Sequence, residues 1–372
     1  MAERDKRIVI NLLRHAGIEI NGKKPYDIQV HDERFYRRAL RHQGLGIGEA
    51  YMDGWWEAKS IDQLITRVLN AELENKVRTS PEIILLGLST LITNRQTTRR
   101  ARKNAAHHYN IGNDLYERML DKRMIYSCGY WKNAKTLDDA QEAKLKLICD
   151  KLELKKGMTL LDIGCGWGGF SEYAARNYGV KVTGISPASE QVKLARKRTK
   201  SLSVKIEQKD YRDMTGNFDR IVSIGMLEHV GYKNYNKFFD ICRKLLKDDG
   251  LMLHHTIGSN ASVRSGDPWM DRYIFPGGNL PSIAQISKAV ENKLIIEDIH
   301  NIGPDYDNTL MAWHKNFMKY WGEIEDFYDE RFKRMWEYYL LSCAAGFRSR
   351  NLQLWQIVMR PRVQTPTYRS VR

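Results

Sequence analysis

The chain has 372 residues and a formal charge of +15, because its 60 lysine and arginine side chains outnumber its 45 acidic ones. Hydrophobic residues make up 42% of it, an ordinary globular balance that excludes wholesale disorder. This length accommodates one large domain or two. The excess of positive charge favours a phosphate-bearing partner, either nucleic acid or an anionic membrane surface.

Cysteine usage and the lack of long apolar segments indicate the compartment. The five cysteines contain no CxxC pair, so neither a disulfide framework nor a metal site is expected, and a reducing cytoplasm is favoured. No signal peptide is expected, since no long apolar core with a cleavage site follows the first charged residues. The longest nearly apolar run, residues 83–92, is about half as long as a membrane span requires. The protein is expected to be soluble or to lie on a membrane without crossing it.

Residues 1–105 have a different pattern from the rest of the chain. Apolar residues recur at helical spacing over 6–16 and 61–73. The segments 44–48 and 51–56, rich in glycine and aromatic residues, are predicted as turns between helices. This pattern predicts a smaller, mainly helical N-terminal domain that ends near residue 105.

The end of this N-terminal region combines an apolar helix with a basic cluster. Pro81 opens a predicted helix that includes residues 83–92. Cations without acidic neighbours follow it, namely Arg95, Arg99, Arg100, Arg102 and Lys103. An interfacial segment would place such side chains on lipid phosphates. A core helix followed by a solvated basic linker remains an open alternative.

From residue 138 onwards, helical and strand-like stretches alternate. A helix is predicted at 138–152, and a longer one at 325–347. Strands are predicted at 159–163, 180–185, 204–208, 219–224, 251–256, 294–299 and 352–359. Such alternation predicts an α/β fold with a doubly wound, mostly parallel sheet in a catalytic domain spanning residues 106–372.

The first strand of this sheet ends in a glycine-rich turn. Residues 160–169 read Leu-Leu-Asp-Ile-Gly-Cys-Gly-Trp-Gly-Gly, and a helix is predicted at 170–178. A turn of this kind lets backbone N–H groups approach a nucleotide-like ligand closely. A dinucleotide site would need GxGxxG and an acid at the end of the second strand, but here the turn has the tighter spacing Gly164-x-Gly166-x-Gly168 and no acid ends that strand. A P-loop is excluded because no Gly-Lys-Ser/Thr follows. Asp162 favours S-adenosylmethionine, whose sulfonium and ammonium groups are cationic.

Several motifs together resemble the cyclopropane fatty acid synthase family. They are the glycine turn and residues 126–131, 224–231 and 255–258, with further agreement at 48–56, 108–114, 273–278 and 305–307. The resemblance covers nearly the whole chain and implies a class I methyltransferase fold. It also implies transfer of a methyl carbon to the cis double bond of an acyl chain in a membrane phospholipid.

The implied chemistry needs a dry site, because water would capture the carbocation that methyl transfer leaves on the acyl chain. Aromatic residues lie in or beside the motifs, namely Tyr126, Tyr130, Trp131, Trp269, Tyr273, Phe275 and Tyr306. Ring closure then removes a proton, and in the family the base is a bound bicarbonate. The residues that match its holders are Cys128, Glu228, His255, the backbone of Ile257, and Tyr306.

Two histidines next to the bicarbonate set and one cysteine have different expected roles. His229 and His254 are left out of the bicarbonate set, since His254 alternates to the opposite face of its strand from His255. Cys343 matches a cysteine considered as a nucleophile in the family and is retained as a weak candidate. Direct methyl transfer requires no covalent enzyme intermediate, and a cysteine among alanine and leucine on a helix usually serves packing.

The resemblance also implies which residues bind S-adenosylmethionine. They are Tyr126, Ser127, Asp162, Gly164, Cys165, Gly166, Gly168, Ser186, Gln191, Asp210 and Tyr211. One departure concerns the stretch after the second strand, where many relatives carry Thr-x-Ser-x-x-Gln. Here Ala188 stands at the middle position, which puts the ribose contacts in doubt.

Three other functions are compatible with parts of the pattern. A lipid C-methyltransferase would methylate the double bond without closing a ring. A nucleic-acid methyltransferase would explain the charge, but its Asp/Asn-Pro-Pro-aromatic signature is absent at residues 224–228. A membrane-binding protein with an inactive methyltransferase fold is disfavoured by the intact glycine turn. The expected partner is thus an anionic phospholipid bilayer at the inner face of the cell membrane, and not nucleic acid, with a homodimer left open.

Overall fold

The computed structural model describes residues 2–73, 112–362 and 367–372. The predicted apolar helix at 83–92 and the basic cluster after it lie outside the described residues. In the described part of the chain, no helix is long and apolar enough to cross a lipid bilayer.

The first described segment is mainly helical. Its elements are helix α1 (Ala2–His15), strand β1 (Gln29–Val30), helix α2 (Arg34–Met52), strand β2 (Trp56–Glu57) and helix α3 (Ile61–Asn70). The helices predicted at 6–16 and 61–73 are confirmed by α1 and α3. The turn predicted at 44–48 is wrong, because α2 continues through it. Within α2, Gln43 departs from helical geometry, with φ 46° and ψ −130°.

Close packing explains why glycines occur inside α2. A Cβ atom on Gly48 would lie 2.6 Å from the ring of Trp269 and 2.9 Å from that of Tyr338. Both rings are buried. The glycine therefore permits close approach of helix and aromatic rings rather than a change of chain direction.

The remaining described residues form the α/β part of the molecule. Its helices are α4 (Asn113–Met119), α5 (Leu137–Lys151), α6 (Gly169–Tyr178), α7 (Ser189–Thr199), α8 (Tyr235–Leu245), α9 (Pro268–Tyr273), α10 (Ile283–Val290), α11 (Gly303–Tyr320) and α12 (Glu330–Arg348). Its strands are β3 (Thr159–Ile163), β4 (Lys181–Ser186), β5 (Val204–Gln208), β6 (Phe218–Ile224), β7 (Leu246–Ser259), β8 (Leu294–Asn301) and β9 (Leu352–Pro361).

The strands of this part form one sheet, which has seven strands among the described residues in the order β5-β4-β3-β6-β7-β9-β8. Strands β3 to β7 pair in parallel, whereas β9 is antiparallel to both β7 and β8. The predicted doubly wound, mostly parallel sheet is therefore confirmed. The carboxyl ends of the parallel strands meet at one edge of the sheet, where ligands bind in this type of fold.

One helix boundary differs clearly from the prediction. The helix predicted at 325–347 begins only at Glu330, and residues 325–327 form a separate single turn of 3₁₀ helix. The reason is a cap: the side chain of Asp329 accepts a hydrogen bond of 2.7 Å from the backbone N–H of Phe332.

The N-terminal helices share a hydrophobic core with the C-terminal part of the chain. Phe35, Trp56 and Leu64 belong to the same buried cluster as Trp336 and Phe347 of α12. The N-terminal region is thus anchored on the α/β part by apolar burial. A domain boundary near residue 105 lies outside the described residues and stays a prediction.

We expect Gly48→Val to destabilise the protein by about 3 kcal/mol, because the added methyl groups would overlap two buried rings. Urea unfolding monitored by fluorescence measures the change. Gly322→Val is the matched control, since a Cβ atom there meets nothing within 4 Å. Equal stability of the two variants would contradict the packing account of Gly48.

Candidate active site

A cavity lies at the carboxyl ends of β3, β4, β5 and β6. It is lined by every predicted cofactor residue except Gly168: Tyr126, Ser127, Asp162, Gly164, Cys165, Gly166, Ser186, Gln191, Asp210 and Tyr211. The sequence motifs thus converge on one place although they come from separate stretches of the chain. This position is the ligand site expected of a doubly wound sheet.

The glycine turn presents bare backbone to the cavity. The N–H groups of Gly164 and Cys165 both donate to the carbonyl oxygen of Ile185, at 2.9 and 3.0 Å, which ties the turn to the end of β4. Gly166 has φ +51°, and a Cβ atom there would meet nothing within 4 Å. The turn therefore leaves open space into which a ligand fits against the backbone.

Gly168 has a different position from the other predicted cofactor residues. Its Cβ atom would lie 3.0 Å from that of Ala195 on α7, and it does not line the cavity. The structure thus gives this glycine a packing position between the turn and a neighbouring helix. The predicted contact between Gly168 and the cofactor therefore stays a prediction.

Asp162 is a buried carboxylate at the end of β3. Its Oδ2 accepts a hydrogen bond of 2.7 Å from the hydroxyl of Ser171. Burial raises the pKa of Asp162 to about 6, although Ser171 and the cation of Lys144 act in the opposite direction. A cationic ligand beside Asp162 would favour the ionised form.

Lys144 is a site residue that the sequence analysis missed. Its ammonium group is fully buried, lines the cavity and donates to the hydroxyl of Ser127 at 2.9 Å. Burial lowers the pKa of Lys144 to about 8. Helical spacing was the available signal, because Lys144 stands four residues from the buried Ala140 and Ile148 on α5.

The walls near the ends of β4 and β5 carry short polar networks. The hydroxyl of Ser186 donates to Oε1 of Gln191 at 3.0 Å and accepts from the N–H of Ala188 at 3.2 Å. Asp210 accepts from the backbone N–H of Arg212 at 3.0 Å and pairs with its guanidinium at 3.2 Å. These polar groups are ordered by the protein itself.

One carboxylate oxygen of Glu228 accepts a hydrogen bond from the backbone, and the other makes none to the described residues. Its Oε1 accepts a hydrogen bond of 2.6 Å from the N–H of Ile257. Its Oε2 is buried and makes no hydrogen bond to a described residue, although the hydroxyl of Thr256 is close enough to lower the pKa of the carboxyl. Burial raises the pKa of Glu228 to about 7, against the hydrogen bonds that it accepts. The Ile257 amide, predicted as a bicarbonate donor, is thus already used by Glu228.

His255 is a second buried polar group with a free atom. Its Nδ1 lies 3.4 Å from the amide nitrogen of Gln356, while Nε2 has no partner among the described residues. Burial and then the cation of Lys144 hold the pKa of His255 well below its ordinary value. The imidazole is therefore neutral near pH 7.

Cys128 and Tyr306 belong to the same buried region. The thiol of Cys128 donates to the carbonyl of Gly129 at 3.1 Å, and burial raises its pKa well above the ordinary range. The ring of Tyr306 packs on that of Phe347 with centroids 4.6 Å apart. Burial raises the pKa of the Tyr306 hydroxyl, and nearby Cys128 and Glu228 raise it further. The structure thus brings Cys128, Tyr306 and Glu228 into one region.

Aromatic rings surround this region. Tyr126 packs against Tyr116 and Trp313, with ring centroids 5.2 and 5.1 Å apart, and its hydroxyl lies 2.7 Å from that of Tyr339. Phe275 lines the cavity and contacts Tyr339 edge-on. Trp131 donates to the hydroxyl of Thr309 at 2.9 Å.

The two histidines left out of the bicarbonate set have separate environments. His254 lies on the opposite side of the sheet against Phe238 and Phe239, with centroids 5.8 and 5.6 Å away, as the strand alternation predicts. His229, however, lines the cavity beside Phe275. Burial lowers the pKa of His229 to about 4, so the ring is neutral.

Cys343 lies on α12 and is half-buried. Burial raises the pKa of its thiol to about 12. The thiolate, which is the nucleophilic form, is therefore scarce at neutral pH. This environment suits packing rather than nucleophilic attack.

The fold and the cavity define a class I S-adenosylmethionine-dependent methyltransferase. Residues 96–357 match the model of the mycolic acid cyclopropane synthetase family. The cyclopropane-fatty-acyl-phospholipid synthase of Escherichia coli strain K12 is 51% identical over 95% of this chain and 92% of its own length. The chain therefore belongs to the mycolic acid cyclopropane synthetase family.

Further relatives and solved structures agree. Tuberculostearic acid methyltransferase UfaA1 of Mycobacterium tuberculosis is 33% identical over 86% of this chain and 79% of its own length. The cyclopropane synthase MmaA2 of the same organism has a TM-score of 0.66 at 29% identity, covering 69% of this chain and 97% of its own. The mycolic acid cyclopropane synthase CmaA1, solved with SAH and CTAB, has a TM-score of 0.65 at 31% identity, covering 69% and 97%.

The raised pKa of Glu228 predicts a pH-dependent stability difference. Between the unfolded pKa of 4.5 and the folded pKa of about 7, the native state keeps a proton that the unfolded state releases. Native stability therefore falls with rising pH over this window. Glu228→Gln removes this loss, so we expect the variant to gain on the wild type by up to about 3 kcal/mol at pH 7.

Urea unfolding of both proteins from pH 4 to pH 8 measures this difference. Asp162 titrates in both proteins, so the comparison isolates Glu228. The gap is expected to widen across the window and to stay constant above it. A gap independent of pH would contradict the raised pKa.

Proposed function

We propose that the protein transfers a methyl carbon from S-adenosylmethionine to the cis double bond of a phospholipid acyl chain and closes a cyclopropane ring. The likeness to the Escherichia coli synthase over 95% of the chain supports this substrate class. The observation that carries the chemistry is the buried carboxyl of Glu228, with a free Oε2, beside an aromatic region and a cofactor cavity.

The cavity residues fit S-adenosylmethionine. Bound there, it supplies the reactive methyl group. The bare backbone at Gly166 leaves room for its amino-acid end, and Asp162 offers a buried carboxylate to its positive charge. Ser186, Gln191 and Asp210 supply acceptors and donors for the nucleoside. Holding the donor in line is the main requirement, because an alkene is a weak nucleophile.

The aromatic region suits a cationic intermediate on the acyl chain. Rings of Tyr126, Tyr306 and Phe275 offer negative π faces that attract positive charge. Tyr306 is buried and the other two rings are half-buried, which limits the access of water that would otherwise add to the cation. The protonated thiol of Cys343 is a poor competitor for the same charge.

Ring closure requires removal of a proton from the added carbon. The atoms of Glu228 and His255 that lack a hydrogen-bond partner fit bicarbonate, a small anion that both donates and accepts hydrogen bonds. Bicarbonate would then act as the base. Glu228 Oε2 would accept its hydrogen, and Nε2 of the neutral His255 tautomer and the Tyr306 hydroxyl would donate to its oxygens. The amide of Ile257 acts through Glu228, which it orients.

We propose further that the enzyme lies peripherally on the inner face of the cell membrane, with the N-terminal region on the lipid. The net charge of +15 and the apolar and basic segments at 83–103 support this location. A homodimer would bring a second such region to the same surface.

Glu228→Gln is expected to lower kcat by about 10²-fold or more, since an amide accepts the hydrogen bond from bicarbonate less well than a carboxylate does. The affinity for S-adenosylmethionine, measured by calorimetry, should stay within about twofold of wild type. Glu190→Gln, an exposed charge change on α7, is the control and should leave both constants unchanged. Loss of S-adenosylmethionine binding in Glu228→Gln would show that this carboxyl holds the cofactor instead.

The product distinguishes ring closure from simple methylation. Purified enzyme, supplied with S-adenosylmethionine and dioleoylphosphatidylcholine vesicles, is expected to add one CH₂ unit for each double bond lost, as seen by mass spectrometry. Gas chromatography of the methyl esters then separates a cyclopropane from a methyl-branched or methylene chain. A branched product would assign the protein to the lipid C-methyltransferases.

Reversal of the basic cluster tests the membrane proposal. Replacing Arg99, Arg100 and Arg102 by Glu is expected to weaken sedimentation with phosphatidylglycerol vesicles by about 10²-fold, at about 1 kcal/mol for each cation lost near the surface. Binding to phosphatidylcholine vesicles should change much less. Unchanged preference for the anionic vesicles would refute the electrostatic role of this cluster.

A further inference from the structure

Another cavity lies between α2 and α9, away from the cofactor residues. Among the described residues it is lined by Arg34, Arg37, Arg38, Arg41, His42, Leu45, Glu49, Trp55 and Arg272. Most of these side chains carry a guanidinium group. None of them belongs to the motifs assigned to the methyl donor or to ring closure.

Sequence spacing places four of the arginines on one face of α2. Arg37 and Arg38 follow Arg34 by three and four positions, and Arg41 follows them by four and three, so the side chains lie along one face of the helix. Like charges at these spacings repel each other and destabilise a helix. The stripe therefore concentrates positive charge at a cost in stability.

Carboxylates compensate only part of this charge. Arg38 pairs with Glu49 at 2.7 Å and with Asp53 at 2.6 Å, and Arg272 pairs with Glu49 at 2.7 Å. Arg37 and Arg41 are exposed and form no ion pair within the described part of the chain. Two guanidinium groups are thus available for an anion.

Contacts with an aromatic ring set the positions of two of the guanidinium groups. The guanidinium groups of Arg34 and Arg38 lie over the ring of Trp55, at 4.5 and 4.7 Å from its centroid. The kink of α2 at Gln43 lies next to the pocket. A planar guanidinium fork binds phosphate oxygens in pairs, more so when its own position is already set.

The pocket is connected to the active site by a short stretch of chain. Arg272 lines the pocket, and the hydroxyl of the next residue, Tyr273, donates to Glu49 at 2.8 Å. Phe275 and Pro276 line the cofactor cavity. Three peptide bonds connect Arg272 to Phe275, so their Cα atoms are at most about 11 Å apart.

We propose that this arginine pocket binds the phosphodiester of the phospholipid whose acyl chain enters the active site. The proposal rests on the proposed function, because a chain held by its phosphate here can reach the aromatic region past Phe275. Free inorganic phosphate shares the same chemistry, and the experiment separates the two sources. The pocket thereby makes the headgroup phosphate part of substrate recognition.

The test compares two uncharged vesicles with the same oleoyl chains. Dioleoylphosphatidylcholine carries a phosphate, whereas dioleoyl digalactosyldiacylglycerol carries none. For Arg37→Gln/Arg41→Gln we expect KM for phosphatidylcholine to rise about tenfold, with kcat and the KM for the galactolipid unchanged. Both side chains are exposed and their removal relieves repulsion between like charges, so the variant should unfold at the wild-type temperature or slightly above it.

Arg4→Gln/Arg7→Gln on α1 is the matched control, with the same loss of charge at exposed positions. A rise in KM for this control as large as for the pocket variant would reduce the effect to general surface charge and overturn the proposal. An equal rise on both lipids, or no rise on either, would also overturn it.

Inorganic phosphate and product analysis separate the remaining outcomes. Phosphate that binds the wild type but not the pocket variant, without affecting KM for phosphatidylcholine, would assign the pocket to a free anion and overturn the lipid proposal. If the wild type adds no CH₂ to either lipid, the proposed function fails. Vesicle sedimentation then tests the pocket separately: loss of phosphatidylcholine binding in the pocket variant alone supports it, and equal binding refutes it.

Discussion

The candidate site depends on the hydrogen bond from the Ile257 amide to Glu228, and the sheet explains why that amide is available. Strand β6 ends at Ile224, opposite His255 of β7. The N–H of Gly225 still reaches the carbonyl of His255 at 2.9 Å, but the backbone then turns away. Strand β7 continues to Ser259 because β9 supports its other edge. The next N–H on the open edge, that of Ile257, therefore donates to a side chain, and the carboxylate of Glu228 accepts this hydrogen bond at 2.6 Å.

This arrangement sets the chemistry of the site. One carboxylate oxygen is occupied by the backbone, and the other is left buried without a described partner. A buried polar atom of this kind costs stability unless a ligand satisfies it. The raised pKa of Glu228 has the same cause, since the ionised form lacks solvation. The stability lost at this position leaves a buried oxygen that the proposed bicarbonate would satisfy.

Much of the fold was predictable because its signals are local. The strand predictions at 159–163 and 204–208 match β3 and β5, since a short apolar run and a short apolar–polar alternation are both local strand signals. The segment 44–48 was predicted wrongly because Gly48 packs against Trp269, which is more than two hundred positions away in the sequence. A pattern read along the chain contains no information about such a partner.

Sequence motifs predicted which residues form the site, but not which contacts those residues make. The cofactor residues converge on one cavity, yet Gly168 packs on Ala195 instead, because a third glycine serves helix approach as readily as ligand approach. Lys144 was missed because a lysine in an amphipathic helix is usually solvated, and its burial depends on Ser127 from another segment. The use of the Ile257 amide depends on where β6 ends, which no motif records.

Glu49 connects the N-terminal helices to the reaction. Its carboxylate accepts from Arg38 of the same helix and from Arg272 and Tyr273 of α9. The chain leaving α9 then places Phe275 at the cofactor cavity and against Tyr339. One buried carboxylate therefore joins the arginine pocket to the segment that contributes a ring to the cofactor cavity. Because this contact and the apolar core shared with α12 both join the two parts of the chain, the proposed phosphate pocket and the proposed reaction site would belong to one structural unit.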